Sequence, residues 1–133
     1  MMFPRTDKEL RATVVGARIV LAIAAALTAY GAFAPPSDAP ALLPWDKAEH
    51  FLAFAAMMSV AILAFPRSRI WPIALCFSAG GALIELIQLT PWVGRDAEVG
   101  DWVADTCGVL AVCFGCWLVQ VRLRCAARTS ATE

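Results

Sequence analysis

Charged residues are scarce in this sequence. Asp, Glu, Lys and Arg make up 17% of its 133 residues, against about 25% in an ordinary soluble domain. The 11 basic and 11 acidic residues cancel, so the chain lacks the basic surface that binding to nucleic acid requires. Internal repeats and low-complexity tracts are also absent. The five cysteines are an odd number, which excludes a framework that pairs every cysteine within one chain.

Apolar residues are abundant instead. They make up 60% of the chain, and the mean hydropathy is +0.67. Four apolar blocks cover about residues 14–34, 47–65, 71–89 and 101–121, each long enough to cross a hydrocarbon core of about 30 Å as a helix. Backbone groups find no water partner in lipid, which favours helices over open strands. The sequence therefore predicts an all-α fold, a small polytopic membrane protein with four transmembrane helices in an antiparallel bundle.

The distribution of Lys and Arg predicts the topology. Basic residues are concentrated before the first block, between the second and third blocks, and after the fourth. Such residues are retained on the cytoplasmic side, which predicts a multi-pass protein of the cytoplasmic (inner) membrane with both termini cytoplasmic. Residues 1–13 are then a cytoplasmic segment, 14–121 the transmembrane domain and 122–133 a cytoplasmic tail. Cleavage of the first block as a signal peptide is the less favoured alternative, because it would leave Pro35 at the first mature position.

Polar residues interrupt two of the blocks at their predicted outer ends. Asp46 and His50 are four residues apart in the second block, as are Asp101 and Asp105 in the fourth. Residues with this spacing share one face of a helix. Helix capping is the alternative explanation for two of them, with Asp46 and Glu49 forming a reciprocal cap and Asp101 capping the fourth helix.

The third block brings further polar residues to the same predicted depth. Glu85 and Gln88 lie near its outer end, three residues apart. A carboxylate facing lipid is costly, so Glu85 is expected to face the bundle and find a partner. Arg95, in the following loop, is the nearest plausible counter-charge. We therefore expect His50, Glu85, Gln88 and Asp105 to meet just below the outer membrane surface.

Small residues and cysteines in the fourth block have a packing interpretation. Small residues allow a neighbouring helix to approach closely, and they form a stripe at Ala104, Gly108, Ala111 and Gly115. Cys113 and Cys116 have CxxC spacing but lie within "VLAVCFGCWLV". In such apolar surroundings cysteine acts as a small hydrophobe, so we expect packing and not redox or metal chemistry.

Three stretches resemble the motifs of VanZ-like membrane proteins. They are "DKAEHFLAF", "GGALIELIQ" and "RDAEVGDWVADTCG", and the resemblance covers about residues 44–112. The positions that match its pattern are Asp46, Lys47, His50, Phe51, Glu85, Gln88, Arg95, Asp101 and Gly108. The pattern usually has Asn where this chain has Asp105, which replaces an amide by an acid that must be paired, protonated or bound to a cation.

The resemblance implies cell-envelope biology, because the family is associated with resistance to the glycopeptide teicoplanin. We expect an outward-facing polar pocket that binds an envelope lipid, glycan or glycopeptide through Asp46, Lys47, His50, Glu85, Gln88, Arg95, Asp101 and Asp105. No cofactor is predicted. One alternative is a membrane-embedded enzyme, with His50, Glu85 and Asp105 as candidate catalytic groups or as ligands of a divalent cation. The other is a structural subunit of a larger complex of membrane proteins.

Overall fold

The computed structural model describes residues 6–34, 43, 45–91, 93 and 97–129. These residues form four helices, α1 (Asp7–Phe33), α2 (Asp46–Ala64), α3 (Ile70–Gln88) and α4 (Val99–Thr129), and the described part of the chain contains no strand. All four helices are long and apolar enough to cross a membrane. The predictions of an all-α fold and of a multi-pass membrane protein are confirmed.

The first and last helices of the chain, α1 and α4, are longer than the apolar blocks that predicted them. α1 begins at Asp7 because Thr6 and Glu9 form a capping box, in which each side chain accepts a hydrogen bond from the other residue's backbone N–H. α4 continues to Thr129, well past residue 121. Its 31 residues measure about 46 Å, so α4 exceeds a hydrocarbon core of about 30 Å.

The order of packing differs from the order in sequence. α2 and α4 share the most extensive interface, α1 packs mainly against α2, and α3 packs mainly against α4. α2 and α3 make few contacts although a short turn joins them. Adjacency in sequence therefore does not determine which helices share the larger interfaces. Gly108 contributes to the interface of α2 with α4, because its missing side chain lets α4 lie directly against the backbone of Phe51 and Ala55.

The predicted stripe of small residues on α4 is only partly buried. Gly108 lies in the interface, whereas Ala111 and Gly115 are exposed. The buried face continues instead through Val109 and Cys113, which belong to the hydrophobic core. The burial of Cys113 agrees with its interpretation as a packing residue.

The hydrophobic core is small and lies among α2, α3 and α4. Met58 and Val109 are completely buried, and Phe54 meets Phe77 edge to face with ring centroids 6.3 Å apart. α1 contributes no buried residue, and its apolar side chains are mostly exposed on the surface of the bundle. That surface suits lipid and not water.

At the end of the bundle where α2 finishes, a basic side chain satisfies the helix terminus. Arg18 of α1 donates a hydrogen bond of 3.2 Å from Nε to the carbonyl oxygen of Ala64, and its guanidinium lies 5.3 Å from the ring centroid of Phe65. A cation is favourable at a helix C-terminus. The contact places the start of α1 and the turn between α2 and α3, both rich in basic residues, at the same end of the bundle.

Candidate functional site

Charged side chains of α2, α3 and α4 meet at the opposite end of the bundle, where α2 and α4 begin and α3 ends. Each of these residues is linked to another by a hydrogen bond, an ion pair or close electrostatic contact. We call this group the polar cluster, and it consists of Asp46, Lys47, His50, Glu85, Glu98, Asp101 and Asp105. Of the four residues expected to meet, the structure groups His50, Glu85 and Asp105.

The central contact of the polar cluster joins α2 to α4. His50 Nδ1 and Asp105 Oδ1 are 2.9 Å apart, and Asp105 is almost completely buried. Gly81 of α3 provides the room for this carboxylate, since a methyl carbon at Gly81 would lie 2.6 Å from Asp105 Oδ2. Asp105 therefore fixes the orientation of the imidazole ring from the buried side of the polar cluster.

Asp101 lies between the two basic side chains of α2. Its Oδ1 is 3.2 Å from Lys47 Nζ, and its Oδ2 is 4.0 Å from His50 Nε2. α4 begins at Val99, so Asp101 is a buried first-turn residue and not the cap that the alternative interpretation required. An acid in the first turn interacts favourably with the helix dipole.

The predicted cap of α2 is also absent. Trp45 occupies the N-cap position without a side-chain hydrogen bond, and Asp46 is the first helical residue. Glu49 accepts a hydrogen bond from the backbone N–H of Leu43, which fastens the preceding chain to the helix. The reciprocal cap of Asp46 and Glu49 was therefore a wrong interpretation, and Asp46 is left exposed beside His50.

Glu85 connects α3 to the polar cluster. Its Oε2 accepts a hydrogen bond of 2.9 Å from the backbone N–H of Glu98, and it lies within electrostatic range of His50, Asp101 and Asp105. Its Oε1 is buried and has no hydrogen-bond partner among the residues that the structure describes. Arg95, the predicted counter-charge, lies outside the described residues.

Glu98 belongs to the site although it was not among the predicted residues. Its Oε2 is 2.5 Å from Lys47 Nζ, and this ion pair holds the pKa of Glu98 below its ordinary value. Glu98 and Asp101 are three residues apart in the sequence, and this spacing could have indicated the site. In the structure both side chains contact Lys47.

Gln88 has a different role from the predicted one. It is buried, and its Nε2 donates a hydrogen bond of 2.8 Å to the carbonyl oxygen of Ala32. Gln88 thus fastens α3 to α1. A second overlooked contact fastens α3 to α4, where Trp102 Nε1 donates to the carbonyl oxygen of Ser78 at 3.1 Å and Ser78 Oγ lies 2.9 Å from Thr106 Oγ1.

The composition of the polar cluster determines what it can bind. Its acidic side chains outnumber its basic ones, which are Lys47 and His50. The arrangement of Asp105 and His50 is that of an imidazole oriented by a carboxylate, as in many general bases. At one edge of the polar cluster, Asp46, His50 and Asp101 each present a ligand atom, and these atoms lie within 4.8 Å of one another.

These features define a class: a membrane protein whose described residues form four apolar helices and gather acidic and basic side chains where α2 and α4 begin. No family model, no curated protein and no solved structure matches the chain. The VanZ-like resemblance therefore stays a prediction based on the three sequence motifs.

Proposed function

We propose that the chain is a VanZ-like protein of the cytoplasmic membrane whose polar cluster is an outward-facing ligand site serving a cell-envelope process. The accessibility of the polar cluster supports this proposal. The side chains of Lys47 and His50 are 36% and 22% exposed, whereas those of Asp101 and Asp105 are 9% and 1% exposed. A ligand approaching from the membrane surface would meet Lys47 and His50 beside the exposed acids Asp46 and Glu98, above the buried carboxylates of the polar cluster.

The charge of the polar cluster restricts the ligand. Lys47 is already paired with Glu98 and Asp101, so a bare anion would meet more negative than positive charge. Hydroxyl and amino groups suit buried carboxylates, because both can donate hydrogen bonds to them. The proposed ligand is accordingly the glycan or polar headgroup of an envelope lipid, or a glycopeptide.

Susceptibility to teicoplanin tests the envelope role. We expect expression of the wild-type chain in a susceptible bacterial host to raise the inhibitory concentration, and Lys47→Ala or His50→Ala to abolish that effect. Lys8→Ala is the matched control, because Lys8 is exposed on α1 away from the polar cluster. All variants are compared at equal abundance in the membrane. Failure of the wild-type chain to protect would contradict the envelope role, and protection by His50→Ala would contradict the site.

The orientation of the bundle in the membrane is tested separately. The basic residues at one end of the bundle favour placing that end in the cytoplasm, which leaves the polar cluster on the outer side. Reporter fusions after Glu133 and within residues 91–100 are expected to report the cytoplasm and the exterior respectively. The reverse result would place the polar cluster on the cytoplasmic side.

The contact between His50 and Asp105 supports a second candidate, a membrane-embedded enzyme that uses His50 as a general base. An enzyme converts many molecules per chain, whereas a binding protein retains about one. Lipid extracts of cells expressing the wild-type chain or His50→Ala separate these candidates by mass spectrometry. A shift in the pool of an envelope lipid far beyond the amount of protein, seen only with the wild-type chain, would favour the enzyme.

A further inference from the structure

We infer that Asp46, His50 and Asp101 bind one divalent transition-metal cation, of the Zn²⁺ or Mn²⁺ class, at the outer edge of the polar cluster. The inference deepens the proposed ligand site and rests on it, because the cation would form part of the same surface.

The three ligand atoms are close enough to converge on one ion after a small movement. They come from two helices and lie within 4.8 Å of one another. His50 Nε2 and Asp101 Oδ2 are 4.0 Å apart, too far for a hydrogen bond between them. Nitrogen and oxygen ligands lie about 2.0–2.2 Å from Zn²⁺ in a tetrahedral arrangement, so two ligands of one ion are separated by roughly 3.3–3.6 Å. A small inward movement would complete the site.

The contacts that hold His50 and Asp101 leave one ligand atom of each residue free to bind a cation. Asp105 holds His50 at Nδ1, so the other ring nitrogen, Nε2, is directed toward Asp101. Metal-binding histidines commonly have such a carboxylate on the second nitrogen, which fixes the tautomer and the ring orientation. Lys47 similarly holds Asp101 by Oδ1, and Oδ2 remains on the side of the imidazole.

An independent observation comes from α3. Glu85 is 8% exposed, and its Oε1 has no hydrogen-bond partner in the described part of the chain. The carboxylate lies within electrostatic range of His50 and Asp101. Helix dipoles stabilise the acids Asp46 and Asp101, which lie in the first turns of their helices. They do not stabilise Glu85, a buried acid near the C-terminal end of α3. A divalent cation would balance this excess of negative charge.

The ligand types select the cation. An imidazole together with carboxylates suits Zn²⁺ or Mn²⁺, whereas Ca²⁺ and Mg²⁺ prefer oxygen ligands alone. Asp46 is exposed, which leaves the remaining coordination positions open to water or to a polar ligand.

The experiment uses the full chain, purified in mild detergent and stripped with EDTA. Mn²⁺ binding is measured by the loss of the free-ion signal in electron paramagnetic resonance, and Zn²⁺ binding by equilibrium dialysis. We expect about one ion per chain, with an affinity reduced about ten-fold or more in Asp46→Asn and His50→Ala. Asp105→Asn should weaken binding about 10- to 100-fold, as the loss of an outer-shell partner does. Asp7→Asn, which changes an exposed acid in the first turn of α1, is the matched control and should bind normally.

Two results would overturn the inference: no stoichiometric binding by the wild-type chain, or equal binding by the wild-type chain and Asp46→Asn. Asp46→Asn decides the test even if His50→Ala does not fold, because Asp46 is exposed and makes no helix cap. The two proposals fail separately. Metal binding without any effect on teicoplanin susceptibility would refute the envelope role alone, and a susceptibility effect that requires His50 without metal binding would refute the cation alone.

Discussion

Replacing Gly108 by alanine tests the closest helix contact below the polar cluster. A methyl carbon there would overlap the carbonyl oxygen of Phe51 and lie 3.2 Å from the backbone nitrogen of Ala55. Both partners are backbone atoms, so α2 and α4 would have to move apart to relieve the overlap. Overpacking of this kind costs about 1–3 kcal/mol. We expect the melting temperature in detergent to fall, at roughly 4 °C per kcal/mol for a chain of this size.

Gly115 supplies the matched control. It lies on the same helix, and a methyl carbon there would meet nothing within 4 Å. Alanine is favoured over glycine within a helix by about 1 kcal/mol at either position, so the difference between Gly108→Ala and Gly115→Ala isolates the contact with α2. Equal melting temperatures for the two variants would refute the close approach of α2 and α4, and with it the basis for a shared site.

Three further predictions concern the polar cluster. Gly81→Ala should lower the melting temperature, because its methyl carbon would lie 2.6 Å from Asp105 Oδ2; an unchanged melt would contradict this packing. In a double-mutant cycle, His50→Ala and Asp105→Ala should deviate from additivity by about 0.5–3 kcal/mol, since the residues share a hydrogen bond; additive effects would argue against that bond. Lys47 lowers the pKa of Glu98, so the stability that this pair contributes is present above the ordinary carboxyl pKa and is lost as the pH falls through the lowered value. The difference in melting temperature between wild-type and Glu98→Gln should therefore narrow as the pH is lowered from about 7 to below the ordinary carboxyl pKa, and a constant difference would contradict it.

The membrane helices were predictable because their signals are strong. α2 and α3 were each placed within one residue, since apolar runs ended at Pro, Gly or clustered charge. α1 and α4 were placed less well because hydropathy reports only the portion that crosses lipid. The early start of α1 was nevertheless readable in "TDKE", where Thr6 and Glu9 have the spacing of a capping box.

The site was predictable where it depended on depth and helix periodicity. Spacing placed Asp101 and Asp105 on one face of α4, and topology placed His50 at the same level. The sequence could not indicate how α3 is rotated about its own axis or where α1 lies in the bundle. Gln88 is three residues from Glu85 and shares its helix face by spacing, yet it contacts the backbone of α1. A pattern confined to one helix does not say which neighbour each side chain will meet.

Asp105 departs from the motif pattern at the most buried position of the polar cluster. An asparagine could accept a hydrogen bond from His50 through its carbonyl oxygen, but its amino group would then take the place of Oδ2. That atom is buried beside Gly81 and has no hydrogen-bond partner among the described residues, so an amide there would bury unsatisfied donors. A carboxylate also buries an oxygen without a partner there, but it adds negative charge beneath the imidazole. The acid at position 105 therefore suits the two proposed roles of His50, in which the other ring nitrogen would bind a cation or exchange a proton.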